Sequence, residues 1–133
     1  MISTKGRYAL RVLIDLAEQD TTTYVPLKEI AKRQGISEKY LQQIVKILVG
    51  KGLLTGISGK GGGYRLTASP EEYNVGEILE LMEGSLTPVA CLAPDTKTCS
   101  RSSHCKTLPM WKKFDNLVHD YFLSLIHISE PTR

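Results

Sequence analysis

All three cysteines of this chain lie in one polar segment, "CLAPDTKTCSRSSHC". Cys91, Cys99 and Cys105 are spaced C-x7-C-x5-C, and His104 adjoins the last of them. Thiolates are soft ligands that suit iron–sulfur clusters, zinc and copper(I), and wide spacings on a loop can wrap around a cluster. Structural zinc usually uses a C-x2-4-C pair, which this segment lacks. The segment therefore favours an iron–sulfur cluster, with zinc and redox sensing by free thiols as the other interpretations.

Two further uses of these thiols fit less well. An odd number of cysteines in a reducing cytosol does not suggest a disulfide framework. A thiol enzyme using Cys105 beside His104 would need a third orienting residue and an oxyanion site, and no pattern for either is recognisable. We therefore expect no enzyme activity.

Composition places the segment in a small globular protein. The chain has 133 residues, of which 41% are hydrophobic and 23% are charged, as expected for one compact domain. No apolar run approaches the roughly 20 residues that span a bilayer, and "MISTKGRYAL" lacks the apolar core of a signal peptide. We expect a cytoplasmic protein with no membrane partner.

The net charge of +3 is unevenly distributed. Residues 1–65 contain eleven Lys or Arg against five Asp or Glu, whereas the rest contains six against nine. Because clustered positive charge attracts polyanions, the first half is where nucleic-acid binding is expected.

The first half also contains the pattern of a helix-turn-helix. Apolar residues recur at helical spacing from Thr4 until "DTTTYVP" interrupts them. Pro26 is suited to start a short second helix, and Gly35 to the turn that follows. Ser37 is an N-cap for a longer third helix. A short helix, a turn and a capped second helix are the parts of a helix-turn-helix.

The third helix and the segment after it predict the DNA contacts. Gln can pair with adenine, and Lys and Ser can reach phosphates or base edges. The stretch "LLTGISGKGGGYRLT" places glycines between two apolar runs, which indicates a β-hairpin wing. The predicted DNA-binding residues are Ser37, Lys39, Tyr40, Gln42, Gln43 and Lys46 on the helix, and Ser58, Lys60, Gly61 and Gly62 on the wing.

The second half predicts two more helices. One runs from Val75 to about Gly84, and the cysteine segment follows it. The other begins near Thr107 and Pro109 and has a broad apolar face. A face this apolar in so small a domain suggests burial against a second copy of the chain. The predicted dimerisation residues are Trp111, Phe114, Val118 and Tyr121.

The last eleven residues of the chain do not look like natural protein sequence. The segment 123–133, "LSLIHISEPTR", looks like the translation of a sequencing adaptor, and we set it aside. The predicted organisation is a DNA-binding domain at 1–70, then a connecting helix, cysteine loop and dimerisation helix at 71–122. If the natural protein continues past Phe122, the last helix is shortened here and the dimer is expected to be weaker.

Four stretches together resemble the Rrf-type winged-helix transcription regulators, the IscR-, NsrR- and CymR-like proteins. They are "ISTKGRYALRVLIDLA", "LKEIAKRQGISEKYLQQIVKILVGKGLL", "GKGGGYRL" and "VGEILELMEG". The resemblance implies a mainly α winged helix-turn-helix with a small hairpin wing and a C-terminal dimerisation helix. It implies a homodimer on a double-stranded DNA operator, acting as a repressor or other regulator. In the IscR and NsrR branches it also implies an iron–sulfur cluster, 2Fe-2S or 4Fe-4S, on three loop cysteines that match Cys91, Cys99 and Cys105.

The chain departs from that pattern in the cysteine segment. IscR-like proteins space these cysteines C-x5-C-x5-C and place a histidine where this chain has Leu108. NsrR-like proteins use an aspartate in the first helix, where this chain has Arg7 or Tyr8. The fourth ligand is therefore left open among His104, Asp95, a residue of the partner and a small molecule. The alternative function is a CymR-like regulator of sulfur metabolism, controlled by a partner protein or thiol oxidation without a cluster.

Overall fold

The computed structural model describes residues 2–92 and 100–125. They form five α-helices and one hairpin: α1 (Thr4–Glu18), α2 (Leu27–Gln34), α3 (Glu38–Gly50), β1 (Leu54–Ile57), β2 (Gly63–Leu66), α4 (Val75–Glu83) and α5 (Leu108–Ser124). Single 3-10 turns lie at Pro70–Glu72 and Ala90–Leu92. The prediction of a mainly α chain with a small hairpin wing is confirmed.

The ends of the first three helices follow from local chemistry. The hydroxyls of Ser3 and Ser37 accept hydrogen bonds from the amides of Gly6 and Tyr40, at 3.4 and 3.2 Å, and so satisfy donors that each helix leaves unpaired. Gly35 ends α2 with a φ of 66°, a left-handed conformation that glycine adopts at little cost. The turn between α2 and α3 is therefore encoded locally.

One apolar core sets the angles between the first three helices. Val12 and Leu13 of α1, Ile30 of α2, and Leu41 and Leu48 of α3 are fully buried together. Because these residues recur at helical spacing, each helix buries one stripe and turns its opposite face to solvent. This arrangement leaves the polar side of α3 free.

The wing is attached to the helical core along one edge. β1 and β2 pair antiparallel with Leu54 opposite Leu66 and Ile57 opposite Gly63. The other edge of β2 pairs with Val25, through two backbone hydrogen bonds of 2.9 Å to Tyr64. A Cβ at Gly63 would collide with the carbonyl of Val25, so only glycine permits this close approach.

α4 lies between two apolar clusters. Ile78 and Met82 complete the core of the helix-turn-helix, whereas Val75 and Leu79 face a second cluster with Leu86. Val118, Phe122 and Leu125 pack against that second cluster. Opposite faces of α4 thus connect the DNA-binding half of the chain to α5.

Residues 123–125, part of the segment set aside as adaptor-like, contact the start of α4. The amide of Val75 donates to the carbonyl of Leu125 at 3.0 Å, and the side chain of Asn74 donates to the carbonyl of Leu123 at 2.9 Å. Residues 126–133 lie outside the described residues.

Candidate nucleic-acid interface

The solvent-facing side of α3 carries five of the six predicted contact residues. Its apolar side is buried, with Leu41, Ile44, Val45 and Leu48 at 1% exposure or less. The exposed polar side chains include Ser37, Lys39, Gln42, Gln43 and Lys46, and the acidic Glu38 is exposed in the first turn. A helix that presents amides and ammonium groups on one rigid face has the chemistry to contact base edges and phosphates in a major groove.

Tyr40, the sixth, is half-buried and packs inside the chain. Its ring lies edge-on to the ring of Tyr8, with the centroids 5.7 Å apart. The guanidinium of Arg11 lies 5.1 Å from the centroid of the Tyr8 ring, within the range of a cation–π contact. Tyr40 therefore joins the start of α3 to α1.

The same side of α1 carries a polar network that ends in a buried carboxylate. Asp15 is 3% exposed and accepts hydrogen bonds from Arg33 and Gln34 at the end of α2. Arg11 donates to the side-chain oxygen of Gln34 at 3.0 Å and to its backbone carbonyl. The hydrogen bond to Asp15 raises the pKa of Arg33 and favours the ion pair. The network joins the end of α2 to α1.

A groove of about 510 Å³ separates the second half of α3 from the wing. Side chains from both elements line it: Gln42, Lys46, Val49, Gly56, Ile57, Ser58 and Tyr64. Three of the predicted DNA-binding residues, Gln42, Lys46 and Ser58, thus share one concave surface. The set contains a cation and no acidic residue, which suits an anionic strand.

The tip of the wing presents the remaining predicted contacts. Lys60 and Gly61 are exposed and Gly62 is half-buried. The amide of Gly62 closes a turn on the carbonyl of Gly59 at 3.0 Å, and a Cβ at Gly62 would collide with backbone atoms of Ile57 and Gly59. The tip is thus a compact backbone turn that carries one exposed ammonium group.

Arg65, also on the wing, is held by residues of the segment before α2. It donates to the carbonyl of Thr22 at 3.1 Å, and its guanidinium lies 4.5 Å from the centroid of the Tyr24 ring. These contacts fix the second strand of the wing to the segment before α2. The base of the wing is further held by Tyr73, whose hydroxyl donates to the carbonyl of Leu53 at 2.7 Å.

The cysteine segment is described only at its two ends. Cys91 is exposed within the 3-10 turn that follows α4, and Cys105 is half-exposed just before α5. Cys99 and Asp95 lie outside the described residues. Across residues 2–92 and 100–125, no three His, Cys, Asp or Glu side chains converge in a way that could hold a metal ion. His104 is exposed.

Cys105 has the chemistry of a ligand or a reactive thiol. The hydroxyl of Thr107, 3.4 Å from the sulfur, lowers the pKa of the Cys105 thiol, and the backbone amides of Thr107 and Leu108 lower it further. Unpaired amides at a helix start favour a negative charge, and the thiolate is the form that binds metals and attacks oxidants. The donor chemistry of this thiol fits an iron–sulfur cluster.

The apolar face of α5 divides between two sides of the helix. Val118 packs inside the chain, and Trp111 is half-buried with its ring centroid 6.5 Å from that of Phe114. A separate stripe along the helix is left exposed: Met110, Phe114, Leu117 and Tyr121. Two of the predicted dimerisation residues, Phe114 and Tyr121, lie on this exposed stripe.

Both the sequence and the fold of this chain have matches among known proteins. Residues 2–126 match the Rrf2 family, described as "Iron-dependent Transcriptional regulator". The chain belongs to the Rrf2 family. The resemblance inferred from the sequence is thereby confirmed, and the chain is an Rrf2-family transcription regulator rather than an enzyme.

Curated relatives support the same assignment for this Rrf2-family chain. Protein rrf2 of Nitratidesulfovibrio vulgaris is 36% identical over 110 residues, which cover 83% of this chain and 73% of that protein. The HTH-type transcriptional regulator IscR of Aliivibrio salmonicida is 33% identical over 129 residues, which cover 97% of this chain and 75% of that protein.

Solved structures share the fold. The structure of CymR (YrzC), the global cysteine regulator of B. subtilis, superimposes with a TM-score of 0.76 at 33% identity, covering 98% of this chain and 95% of that chain. T. potens IscR superimposes with a TM-score of 0.74 at 31% identity, covering 99% of this chain and 85% of that chain.

Among the helices that the structure describes, none combines the length and hydropathy needed to cross a bilayer.

Sequence reasoning missed the residues that position this Rrf2-family interface. Asp15 lies among apolar residues of α1, and this position could have indicated a buried ion pair. A lone carboxylate on a buried stripe requires a cationic partner. No sequence signal identified Arg33 as that partner, since it lies 18 positions after Asp15 and the segment between them also carries Lys28 and Lys32.

Proposed function

We propose that this chain reads a DNA operator with α3 and the wing, and that its DNA binding responds to an iron–sulfur cluster held by Cys91, Cys99 and Cys105. The observation that carries the DNA-binding half is the groove in which Gln42, Lys46 and Ser58 meet without an acidic neighbour. Base contacts from Gln42 and Gln43 would supply sequence preference, whereas Lys39, Lys46 and Lys60 would supply charge.

The exposed stripe on α5 supports the proposal of a homodimer. Met110, Phe114, Leu117 and Tyr121 lie on one side of the helix, and a second copy of the chain would remove their apolar surface from water. Two recognition helices related by a two-fold axis would then meet half-sites about one turn of DNA apart.

Two observations support the cluster. The family is described as iron-dependent, and Cys105 is an ionisable thiol at the start of α5. When bound, a cluster would supply a centre that oxygen or nitric oxide attacks. Cys105 lies two residues before Thr107, the N-cap of α5, so a cluster bound to Cys105 would act beside the start of this helix. His104, adjacent to Cys105, is the candidate fourth ligand on the described part of the loop.

The cluster is tested by anaerobic purification, with a visible absorbance spectrum and iron and sulfide counts. Replacing Cys91, Cys99 or Cys105 singly with Ala should abolish or severely impair assembly. His104→Ala should leave a cluster but change its lifetime in air, and Ser103→Ala serves as the matched control. Wild-type iron, sulfide and absorbance in all three cysteine variants would refute the cluster site.

The second candidate function is regulation by thiol oxidation, or by a partner protein, without a cluster. The lowered pKa of Cys105 favours it, because a thiolate reacts with oxidants faster than a thiol. It also fits the structural likeness to the global cysteine regulator of B. subtilis. A colourless, iron-free protein after anaerobic purification, with DNA affinity that changes on oxidation of Cys105, would favour this function.

DNA reading is tested on an operator selected from a random duplex library. Gln43→Ala should lose about 1 to 3 kcal/mol of discrimination at one base position. Lys60→Ala should weaken binding to all DNA sequences alike. It should also reduce, by about one unit, the slope of log affinity against log salt concentration. Equal losses on selected and random DNA for both variants would contradict base reading by Gln43.

A further inference from the structure

Leu81 on α4 is exposed without belonging to either surface described above. Among the described residues, the other strongly exposed large apolar side chains lie in the groove beside the wing or on α5, whereas Leu81 is 42% exposed elsewhere. Leu81 lines a small cavity at the base of the wing, together with Leu53, Ala68, Tyr73 and Ile78. An apolar side chain exposed beside a largely apolar cavity indicates a surface that another molecule covers.

The cavity has the size of one side chain. Its volume is about 120 Å³, whereas pockets for drug-sized ligands usually measure about 300 to 1,000 Å³. A cavity of about 150 Å³ holds one benzene-sized group. The hydroxyls in its wall are already engaged: Tyr73 donates to the carbonyl of Leu53 at 2.7 Å, and Thr67 donates to the carbonyl of Gly52 at 2.8 Å. An apolar group therefore suits the interior of this cavity.

The rim of the cavity is acidic. Glu72 and Glu77 both line it, and no Lys or Arg does. Glu72 is held in place, because its carboxylate accepts a hydrogen bond from the amide of Ser69 at 3.2 Å. Among the residues that the structure describes, neither carboxylate pairs with a Lys or Arg side chain. The rim is therefore complementary to a partner with positive charge, since opposite charges steer encounter and select partners.

We propose that this cavity receives an apolar side chain, flanked by Lys or Arg, from a segment of another protein. The apolar side chain would lie against Leu53 and Leu81, with its basic neighbours at Glu72 and Glu77. Because Leu53 directly precedes β1 and Leu81 lies on α4, the partner would contact the base of the wing and α4 at once. The proposal rests on the second candidate function, control by a partner protein, and names the surface and the chemistry of that partner.

The test measures binding of a short synthetic peptide, with one leucine between two pairs of lysines, to the isotope-labelled full chain by NMR titration. Amide shifts should concentrate at Ala68, Tyr73 and Leu81. Replacing the leucine of the peptide with alanine should weaken binding roughly tenfold, because most of the apolar contact is lost. Replacing the lysines with glutamates should remove binding, because the rim then repels the peptide.

Substitutions in the chain give the matching readout. Leu81→Ala should weaken peptide binding roughly three- to tenfold. Leu81→Met retains an apolar side chain of similar volume and should bind as the wild type does. Glu77→Gln removes one charge from the rim, so it should weaken binding and reduce its dependence on salt. Glu18→Gln is the matched control, because this exposed carboxylate on α1 does not line the cavity, and it should change binding little.

A second copy of this chain is the competing occupant. Sedimentation velocity of Leu81→Asp should show the same oligomeric state as the wild type. A changed oligomeric state, equal peptide binding by Leu81→Asp and the wild type, or no peptide binding would overturn the proposal.

Control by a partner protein is separated from the docking surface by a DNA measurement. The cavity shares no lining residue with the groove beside the wing, so the peptide and the selected operator can be added together. A peptide that shifts the residues of the cavity but leaves operator affinity unchanged would uphold the docking surface. The same result would count against control of DNA binding by a partner protein.

Discussion

Asp15 and Arg33 form a two-point ion pair that joins α1 to the end of α2. The Nη2 and Nε atoms of Arg33 lie 2.7 and 3.0 Å from the Oδ1 and Oδ2 atoms of Asp15. The Asp15 side chain is buried, whereas the Arg33 side chain is 36% exposed. Because Gln34 also donates to Asp15, the end of α2 is held at three points immediately before the turn into α3.

Removing the cation of this pair should destabilise the fold. In Arg33→Met the Asp15 carboxylate keeps the hydrogen bond from Gln34 but loses its counter-charge, so we expect a loss of roughly 2 to 4 kcal/mol in the free energy of unfolding. Urea denaturation with an unchanged m-value would measure it. Lys32→Met, at an exposed neighbouring position, should change the midpoint little. Equal stability of the two variants would show that the pair contributes nothing.

Adding one carbon at Gly63 should detach the wing from the core. In Gly63→Ala the new methyl group collides with the carbonyl of Val25, so the paired edge of β2 must move. We expect weaker DNA binding and loss of amide-exchange protection at Val25 and Tyr64, whose amides pair there.

Gly50→Ala is the control for that change. Apart from its chain neighbours and the backbone of its own helix, no atom lies within 4 Å of the position where its Cβ would be, and alanine favours a helix over glycine by up to about 1 kcal/mol. It should retain DNA binding at equal or slightly higher stability. If Gly63→Ala behaves in the same way, the attachment at Val25 does not hold the wing.

Cys105 should react at lower pH than an ordinary thiol. Its folded pKa lies below the usual 9.0, because the Thr107 hydroxyl and then the backbone amides favour the thiolate. The corresponding stability is present above the unfolded pKa and is lost as pH falls through the folded pKa. The alkylation rate of Cys105, measured against pH in a Cys91→Ala, Cys99→Ala background, should have its midpoint at a lower pH than that of an ordinary thiol. Thr107→Val should shift it upward, and an unchanged midpoint would exclude the hydroxyl as the cause.

The exposed stripe on α5 should control self-association. Leu117 is 58% exposed, so Leu117→Asp should cost the monomer little while placing a charge in any apolar interface between copies. Sedimentation velocity should show a monomer for this variant and a dimer for Asn116→Asp, which adds the same charge at the neighbouring exposed position. A dimer of equal stability in both variants would place the interface elsewhere.

The local pattern of the sequence determined the elements and their ends. Ser37 is the N-cap of α3, Gly35 adopts the left-handed turn, and α4 ends before Gly84, as predicted. These features depend on residues within a few positions of each other, where capping and helical periodicity act. The polar face of α3 could be predicted for the same reason, since the apolar stripe of the helix defines the opposite side.

Only the tertiary structure decided which distant residues meet. Arg65 lies on the wing with the predicted DNA contacts, but Thr22 and Tyr24 hold it against the core. Val118 was grouped with the dimer face, yet it packs on the cluster beside α4. Periodicity identifies a helix as apolar but does not tell which half of a broad apolar face its own domain will cover. That choice depends on the packing of α4, many residues away in sequence, and burial is settled only when the elements are assembled.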